Sequence, residues 1–419
     1  MCTKEWNIKS MGLRRKFSIV LSSLIEVITI ITYSLFIVYH LTATSKIGAI
    51  WPSYIDNKRL VNVFFVISLL KIFTMVRNKY ADKWLAFFML TIVLLLKKYG
   101  IADYTQLVFI MIAMYSIAFE KVAMMYVATM SVSLATILWL SIIGIIPNGS
   151  VIAEHRVIKN LYFLGFSHHN RFMICWLLLL MVTIYLTRNC KYKKYIFLLL
   201  EGITVYLWTC TGSNTSTIIA SILCLIFILD DFIYHNYKYN EIKQCCAKLL
   251  IWTPAISFAI SVLSIVFVGC FGYPDLLLSL FDRFDKPYTA LIKLGVIHSI
   301  KHHYIQSMYS DLGFKWIIGL GKNTYPGKEF FDNIYAYIFI NDGLIVLVSF
   351  IAIQTLILYR LFKEREYCLL LLYAFKVFFG VFEAGTILDV ELTVFATLLF
   401  TIHGSYLNYS GRQKAISQI

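Results

Sequence analysis

The stretch "LYFLGFSHHNRFMICWLLLL" (residues 161–180) sets His168, His169, Asn170 and Arg171 directly against an uncharged apolar run that continues to residue 187. A bilayer core takes about 20 apolar residues of helix, and fewer suffice inside a bundle. The run therefore reads as a membrane span whose polar chemistry is crowded onto one lip. The rest of the chain repeats the apolar half of this pattern. Of 419 residues, 59% are hydrophobic and 15% charged, and the mean hydropathy is +0.74, whereas ordinary soluble domains hold roughly 45–50% apolar residues. An integral membrane protein is expected.

On the same rule, spans are expected near 17–39, 60–76, 84–96, 104–119, 122–146, 172–187, 195–209, 215–233, 249–271, 335–359, 367–382 and 390–404, about twelve in all. The first follows the basic "LRRK" and is longer than the apolar core of about 7–15 residues in a cleavable signal peptide, so it is expected to stay as a span. The net charge of +15 does not point to nucleic acid, because the basic residues lie between apolar runs and not on one face of a soluble module. They act as topology signals. With the amino terminus inside, the inside segments hold 21 Lys and Arg and the short outside loops eight, the bias expected when both termini are cytoplasmic. Lys71 and Lys376 fall within spans and are expected to face the bundle interior or to snorkel.

No repeat, low-complexity stretch or Pro/Gly-rich linker breaks the chain. It reads as one domain over 1–419, an all-α polytopic membrane protein with a large, mostly helical extracytoplasmic loop at 272–334. The nine cysteines show no C-x-x-C spacing, so neither a zinc site nor a disulfide framework is expected. Cys210 and Cys270, near outer span ends, either pair or remain buried free thiols.

On this topology the polar segments 147–171, 209–215, 272–334 and 383–391 all face outward. His155, Arg156, Lys159, His168, His169 and Arg171 place six basic or imidazole groups within 17 residues at a membrane lip, a pattern suited to a lipid-linked phosphate. Arg283 stands between Asp282 and Asp285; it either grips a phosphate or carboxylate through its planar fork or pairs locally with an aspartate. His298, Lys301 and His302 share a helix face, but no third metal ligand stands at fixed spacing, and a solvated basic face is the expectation. Asp332 and Asn333, where the loop re-enters the membrane, either orient or deprotonate a hydroxyl or cap a helix. Tyr335 and Tyr337 suit an aromatic belt. Glu383, on the same outer side, suits a snorkelling surface carboxylate. No P-loop, G-x-S-x-G or H-E-x-x-H motif is present.

Topology and four motifs together resemble the Wzy-type polysaccharide polymerases of bacteria, the O-antigen, capsule and exopolysaccharide polymerase family. "KNLYFLGFSHHN" (159–170) is similar to the family's R-x-x-LGF-x-H-P-N segment, with His168 and Asn170 in register, His169 in place of proline, and Lys159 or Arg156 as the upstream base. "TGSNTS" (211–216) is similar to the T-x-SRT turn, with Asn214 in place of arginine. "LLLSLFDRFDKPYTALIKLG" (276–295) resembles the LLSGR segment and carries Arg283. "FDNIYAYIFINDG" (331–343) resembles the DNSY...G segment through Asp332, Asn333, Tyr335 and Gly343.

The resemblance implies a glycosyltransferase fold of the C type in the bacterial cytoplasmic (inner) membrane, working without metal, nucleotide sugar or other cofactor. Its substrate would be an undecaprenyl-diphosphate-linked oligosaccharide in the lipid bilayer, and a chain-length regulator and a flippase would be its protein partners. Cations would stabilise the leaving diphosphate and a base would serve the attacking hydroxyl. Arg283, His168 and Asp332 are the expected catalytic residues. Arg156, Lys159, Asn170, Arg171, Asn333 and Tyr335 are the expected substrate contacts. An O-antigen ligase shares the architecture and donor. A transporter such as the pathway's flippase has a similar number of spans, but transporters tend to show internal repeats, and none is found here.

Overall fold

The centre of the molecule is the helix that begins inside the opening stretch. In a computed structural model, which describes residues 2–50, 57–78, 84, 86–87, 90–91, 103–115, 117–152, 160–233, 238–271, 334–381 and 393–401, the chain forms helices α1 (Cys2–Thr44), α2 (Ile47–Ile50), α3 (Asn57–Asn78), α4 (Asp103–Ala113) and α5 (Phe119–Ile142). Strands β1 (Ser150–Ile152) and β2 (Asn160–Tyr162) follow. Then come α6 (His169–Thr187), α7 (Lys193–Thr211), α8 (Asn214–Ile233), α9 (Lys238–Leu250), α10 (Thr253–Phe271), α11 (Ile334–Lys363), α12 (Tyr367–Phe379) and α13 (Thr393–Ala396).

Helix α6 packs against α5, α7, α8 and α12. It is 67% buried along its most apolar window, against 28–33% for the other long apolar helices. A helix that is apolar all round belongs in the interior of a bundle, and the sequence "FMICWLLLLMVTIYLT" offers no polar face to turn outward.

A helix overlaps every expected span except that near 84–96, most of which lies outside the described residues. Among the described residues, four helices are long and apolar enough to cross a membrane alone: Val20–Thr44 of α1, Phe119–Ile142, His169–Thr187 and Leu344–Lys363 of α11. Gln244–Leu250 and Thr253–Val262 make a fifth if the 48° bend between them is taken as one broken span. This falls short of the expected twelve for identifiable reasons. Helices α4 and α12, at 11 and 13 residues, rise only about 16–20 Å, less than the roughly 30 Å hydrocarbon core. Helix α7 carries Lys193, Lys194 and Glu201. A second departure from the all-α expectation is the antiparallel hairpin, paired Ser150 to Tyr162 and Ile152 to Asn160.

Polar side chains join the helices where lipid-like surroundings strengthen every unmet demand for a partner. The Trp176 indole donates to Thr204 Oγ1 at 2.9 Å between α6 and α7. Ser221 donates to Glu201 Oε1 at 2.7 Å between α8 and α7. Lys121 pairs with Glu26 between α5 and α1. Buried Lys71 of α3 donates to the Tyr115 carbonyl at 2.9 Å, just past the end of α4, where the last carbonyls of a helix lack intrahelical partners and a cation is favoured. Lys376 of α12 is buried as well, its Nζ 5.7 Å from the centre of the Tyr373 ring. Both lysines expected within spans are therefore buried in the bundle. The described cysteines, Cys210 among them, are free thiols; Cys270 lies outside the described side chains.

Helix α11 ends in a turn where Arg365 has φ +60°. The Arg365 and Glu366 amides donate back to the carbonyls of Phe362 and Leu361, the pairing of a helix end whose left-handed residue is usually glycine. An L side chain there costs about 1–2 kcal/mol. In the same turn, burial pushes the Glu366 carboxyl above the ordinary carboxylate range; Arg188 opposes this, and Glu120 and Glu364 add to it.

Two outcomes are expected in detergent-solubilised protein. Lys71→Met should lower stability by about 1–3 kcal/mol, because the buried Tyr115 carbonyl loses a donor; an unchanged melting temperature would show that the bond does not matter. A carboxyl whose pKa is raised on folding stabilises the fold while it keeps its proton, and that contribution is lost as pH rises through the folded pKa. Glu366→Gln should therefore raise the melting temperature at neutral pH and change it little below about pH 4.

Candidate functional site

The lip is built where four chain segments meet at one end of the bundle: the end of α1, the hairpin, the start of α6 and the turn between α7 and α8. Leu164 and Gly165 turn the chain between hairpin and helix with φ +50° and +85°. The Leu164 amide donates to Asn148 Oδ1 at 3.0 Å, and the Gly165 carbonyl accepts from the Lys46 amide at 2.8 Å. Gly165 is required twice over. Its backbone is left-handed, and a Cβ would lie 2.8 Å from Ile137 Cγ2 and 2.9 Å from Ile146 Cδ1. A bridge between Ser45 and Phe166 completes the junction with α1.

His168 is the N-cap of α6: its backbone is extended and its Nδ1 accepts from the Asn170 amide at 3.3 Å. One of the four orphan amides of the helix is thereby satisfied. With Nδ1 used as acceptor, the proton of a neutral imidazole sits on Nε2, which makes the second ring nitrogen of His168 a donor. The exposed His168 ring lies 4.2 Å from that of His169, which is 8% exposed. Phe163 stacks on both, at 6.4 and 6.3 Å between ring centres. The cap thus carries a nested set of three rings, with Phe163 held in place because Gly149 opposite has no side chain: a Cβ there would be 2.6 Å from the Phe163 ring.

Asn170 and Arg171 occupy the first turn of α6, both half-buried. The Arg171 charge reaches His40, near the end of α1. His40 meets Phe36 and Tyr39 edge-on at 4.7 and 5.2 Å. Among the described residues its buried Nε2 has no hydrogen-bond partner. Sequence reading missed His40, since it lies outside every motif; the available signal was a histidine about one turn before the end of the first helix.

Strand β2 packs against α7 and brings the 211–216 turn beside the lip. There Gly212, at φ +62°, ends α7, and Asn214 accepts from the Trp208 indole at 2.9 Å. Position 214, an arginine in the resembling family, here ties two helices together. Tyr335 also differs from expectation. It is 1% exposed in a second core cluster with Ile338 and Leu347, its hydroxyl 3.4 Å from Gln354 Oε1, so it packs the bundle and is not positioned to touch a substrate. Arg156, Lys159, Arg283, Asp332 and Asn333 lie outside the described residues, as do His155, His298, His302 and Glu383.

The described lip can therefore bind and orient. A helix N-terminus, the Arg171 guanidinium and the Nε2–H of His168 are donor types suited to an anionic oxygen group. Because the His168 lone pair at Nδ1 is engaged in the cap, orienting a group fits this residue better than removing a proton from one.

His168→Ala should destabilise the protein by about 1 kcal/mol through loss of the cap, and His168→Asn, which restores a capping oxygen, should recover most of that. Equal melting temperatures for the two variants would refute the capping role. Gly165→Ala should lower the yield of folded protein in the membrane, measured by detergent-stable monodisperse material. A comparison with protein-family models, curated proteins and solved structures finds no match, so the reading of this lip rests on its chemistry and on the motifs in the sequence.

Proposed function

We propose that the protein is a polysaccharide polymerase of the Wzy type, which joins undecaprenyl-diphosphate-linked oligosaccharide units at the outer face of the bacterial cytoplasmic membrane. The observation that carries this reading is the lip itself. The LGF-x-H segment forms the N-cap of a buried apolar helix and puts His168 at the cap and Arg171 in the first turn, at the end of a span where a lipid-linked diphosphate would rest. The growing chain leaves its lipid diphosphate and is received by a hydroxyl of the incoming unit. Arg171 neutralises charge that develops on the departing phosphate oxygens, and such a contact typically contributes about 100- to 1000-fold in rate. His168 donates through Nε2–H to the same oxygens or to the sugar. Arg283 is proposed as the second diphosphate cation and Asp332 as the base, with Arg156, Lys159 and Asn333 as further contacts.

On this reading the shorter helices cross the bilayer within the bundle in the twelve-span, C-type glycosyltransferase arrangement, with both termini cytoplasmic. A chain-length regulator and a flippase are its partners in the membrane. The chemistry asks for no cofactor.

The test is a gel of surface polysaccharide from cells lacking the protein, complemented with wild type, Arg171→Ala or Arg283→Ala, each shown to be present in the membrane. Wild type should restore a long-chain ladder, and each variant should reduce it about 100-fold while a single repeat unit remains on its final acceptor. If cells without the protein lack even the single unit, a ligase or flippase is the better reading. A ladder unchanged by deletion would overturn the proposal.

A further inference from the structure

At the other end of α6 the bundle holds a cavity that the lip chemistry does not use. Helix α6 runs nineteen residues from His169 to Thr187, about 28 Å of rise, so Arg188 stands roughly a bilayer core away from the histidine pair. Around it the end of α6, the start of α7, the ends of α8 and α9 and the α11–α12 turn enclose a half-open space of about 590 Å³. Its wall has two parts. Arg188, which pairs with Glu120, and Lys193 and Arg365 line it together with the carboxyl of Glu366, and half-buried Ile226, Leu250 and Leu371 contribute apolar surface.

Three further observations bear on what the space is for. Arg188 is already held in place: it donates to the Tyr185 carbonyl at 2.7 Å, lies over the Tyr185 ring at 3.8 Å and reaches Glu120 Oε1 at 3.6 Å. Tyr185 in turn donates to Glu120 at 2.7 Å. This makes a fixed cationic wall and not a mobile surface side chain. Arg365 is exposed at the mouth in a left-handed backbone position that glycine would fill without strain. Strained residues of this kind concentrate where a site needs them. Around the same end, Tyr192, Tyr195 and Trp252 are exposed large aromatics, Lys191 and Lys194 lie 5.8 Å from the rings of Tyr192 and Tyr195, and the bend between α9 and α10 falls beside Trp252. Exposed Tyr and Trp mark the level of lipid headgroups.

We infer that this cavity binds the phosphate headgroup of an anionic membrane phospholipid, with Arg365 as the principal contact, Lys193 assisting, and an acyl chain lying along Ile226, Leu250 and Leu371. A basic pocket between helices at the headgroup level has the charge and the apolar floor for one amphiphile of this class. Arginine matches the phosphate through paired donors. The site is separate from the lip and does not depend on the polymerase reading.

The test uses full-length protein in a neutral detergent. Thermal unfolding is followed while phosphatidylglycerol, phosphatidylcholine or inorganic phosphate is titrated in, since a ligand of the folded state raises the melting temperature. Wild type should be stabilised by phosphatidylglycerol at low mole fraction, with half-saturation about tenfold below that for phosphatidylcholine. Arg365→Gly, which relieves the backbone strain, should be at least as stable as wild type without lipid yet lose the preference for phosphatidylglycerol. Arg365→Gln, which keeps the strain and removes the charge, should lose it too, and Lys194→Gln, at the same end but outside the cavity, should keep it. Equal responses to the two lipids, or a full response in both Arg365 variants, would overturn the proposal. Saturation by inorganic phosphate at the same concentration would overturn the lipid assignment in favour of a free-phosphate site.

Discussion

A helix whose middle is buried in a bundle must still place the unpaired amides of its first turn and the unpaired carbonyls of its last, and in this protein that requirement on α6 organises both ends of the bundle. At the start of α6 the answer is His168, drawn back over the first turn by the tight Leu164–Gly165 bend. At the end it is Arg188, which folds its guanidinium onto the Tyr185 carbonyl and ring. Both solutions use residues with more donors than the cap consumes: the imidazole has a second ring nitrogen, and the guanidinium has five N–H groups.

The same logic explains why polar residues inside the apolar chain do not destabilise it. Lys71 meets the carbonyl beyond α4, Glu201 meets Ser221, and Trp176 meets Thr204. Threonines along α1, such as Thr29 and Thr32, return their hydroxyls to carbonyls four residues earlier, which hides them within their own helix. Helix association in lipid draws little from hydrophobicity, since lipid tails are as apolar as leucine, so close packing and such bonds carry a larger share.

The motif residues at the lip also hold the fold together. Gly149 leaves room for Phe163, Phe163 stacks on the histidine pair, and Gly165 sets the angle at which the histidines meet α6. The motif that resembles the polymerase family is therefore also a folding device. Its histidine has a structural duty at Nδ1 and a chemical opportunity at Nε2, two nitrogens of one ring with different roles.

Much was legible from the linear chain. Apolar runs and their spacing located α1, α3, α5, α6, α7, α8 and α11, because burial in a membrane demands uninterrupted apolar sequence whatever the neighbours are. The polar lip at 168–171 was legible for the same reason, as the place where that demand stops. Other features arise only from packing. Which short helices pass the length for a crossing depends on where each one ends, and the 150–162 hairpin depends on pairing across seven intervening residues or more. Tyr335 reads as a belt residue in sequence, yet it lies in the core because α11 starts against Gly380 and turns that face inward. His40 and Arg171 lie 131 positions apart in the chain and come near each other only because α1 ends where α6 begins. One-dimensional patterning records what each segment must bury, whereas tertiary structure decides which side chains share a place, since that depends on where the helices stop and how they pack.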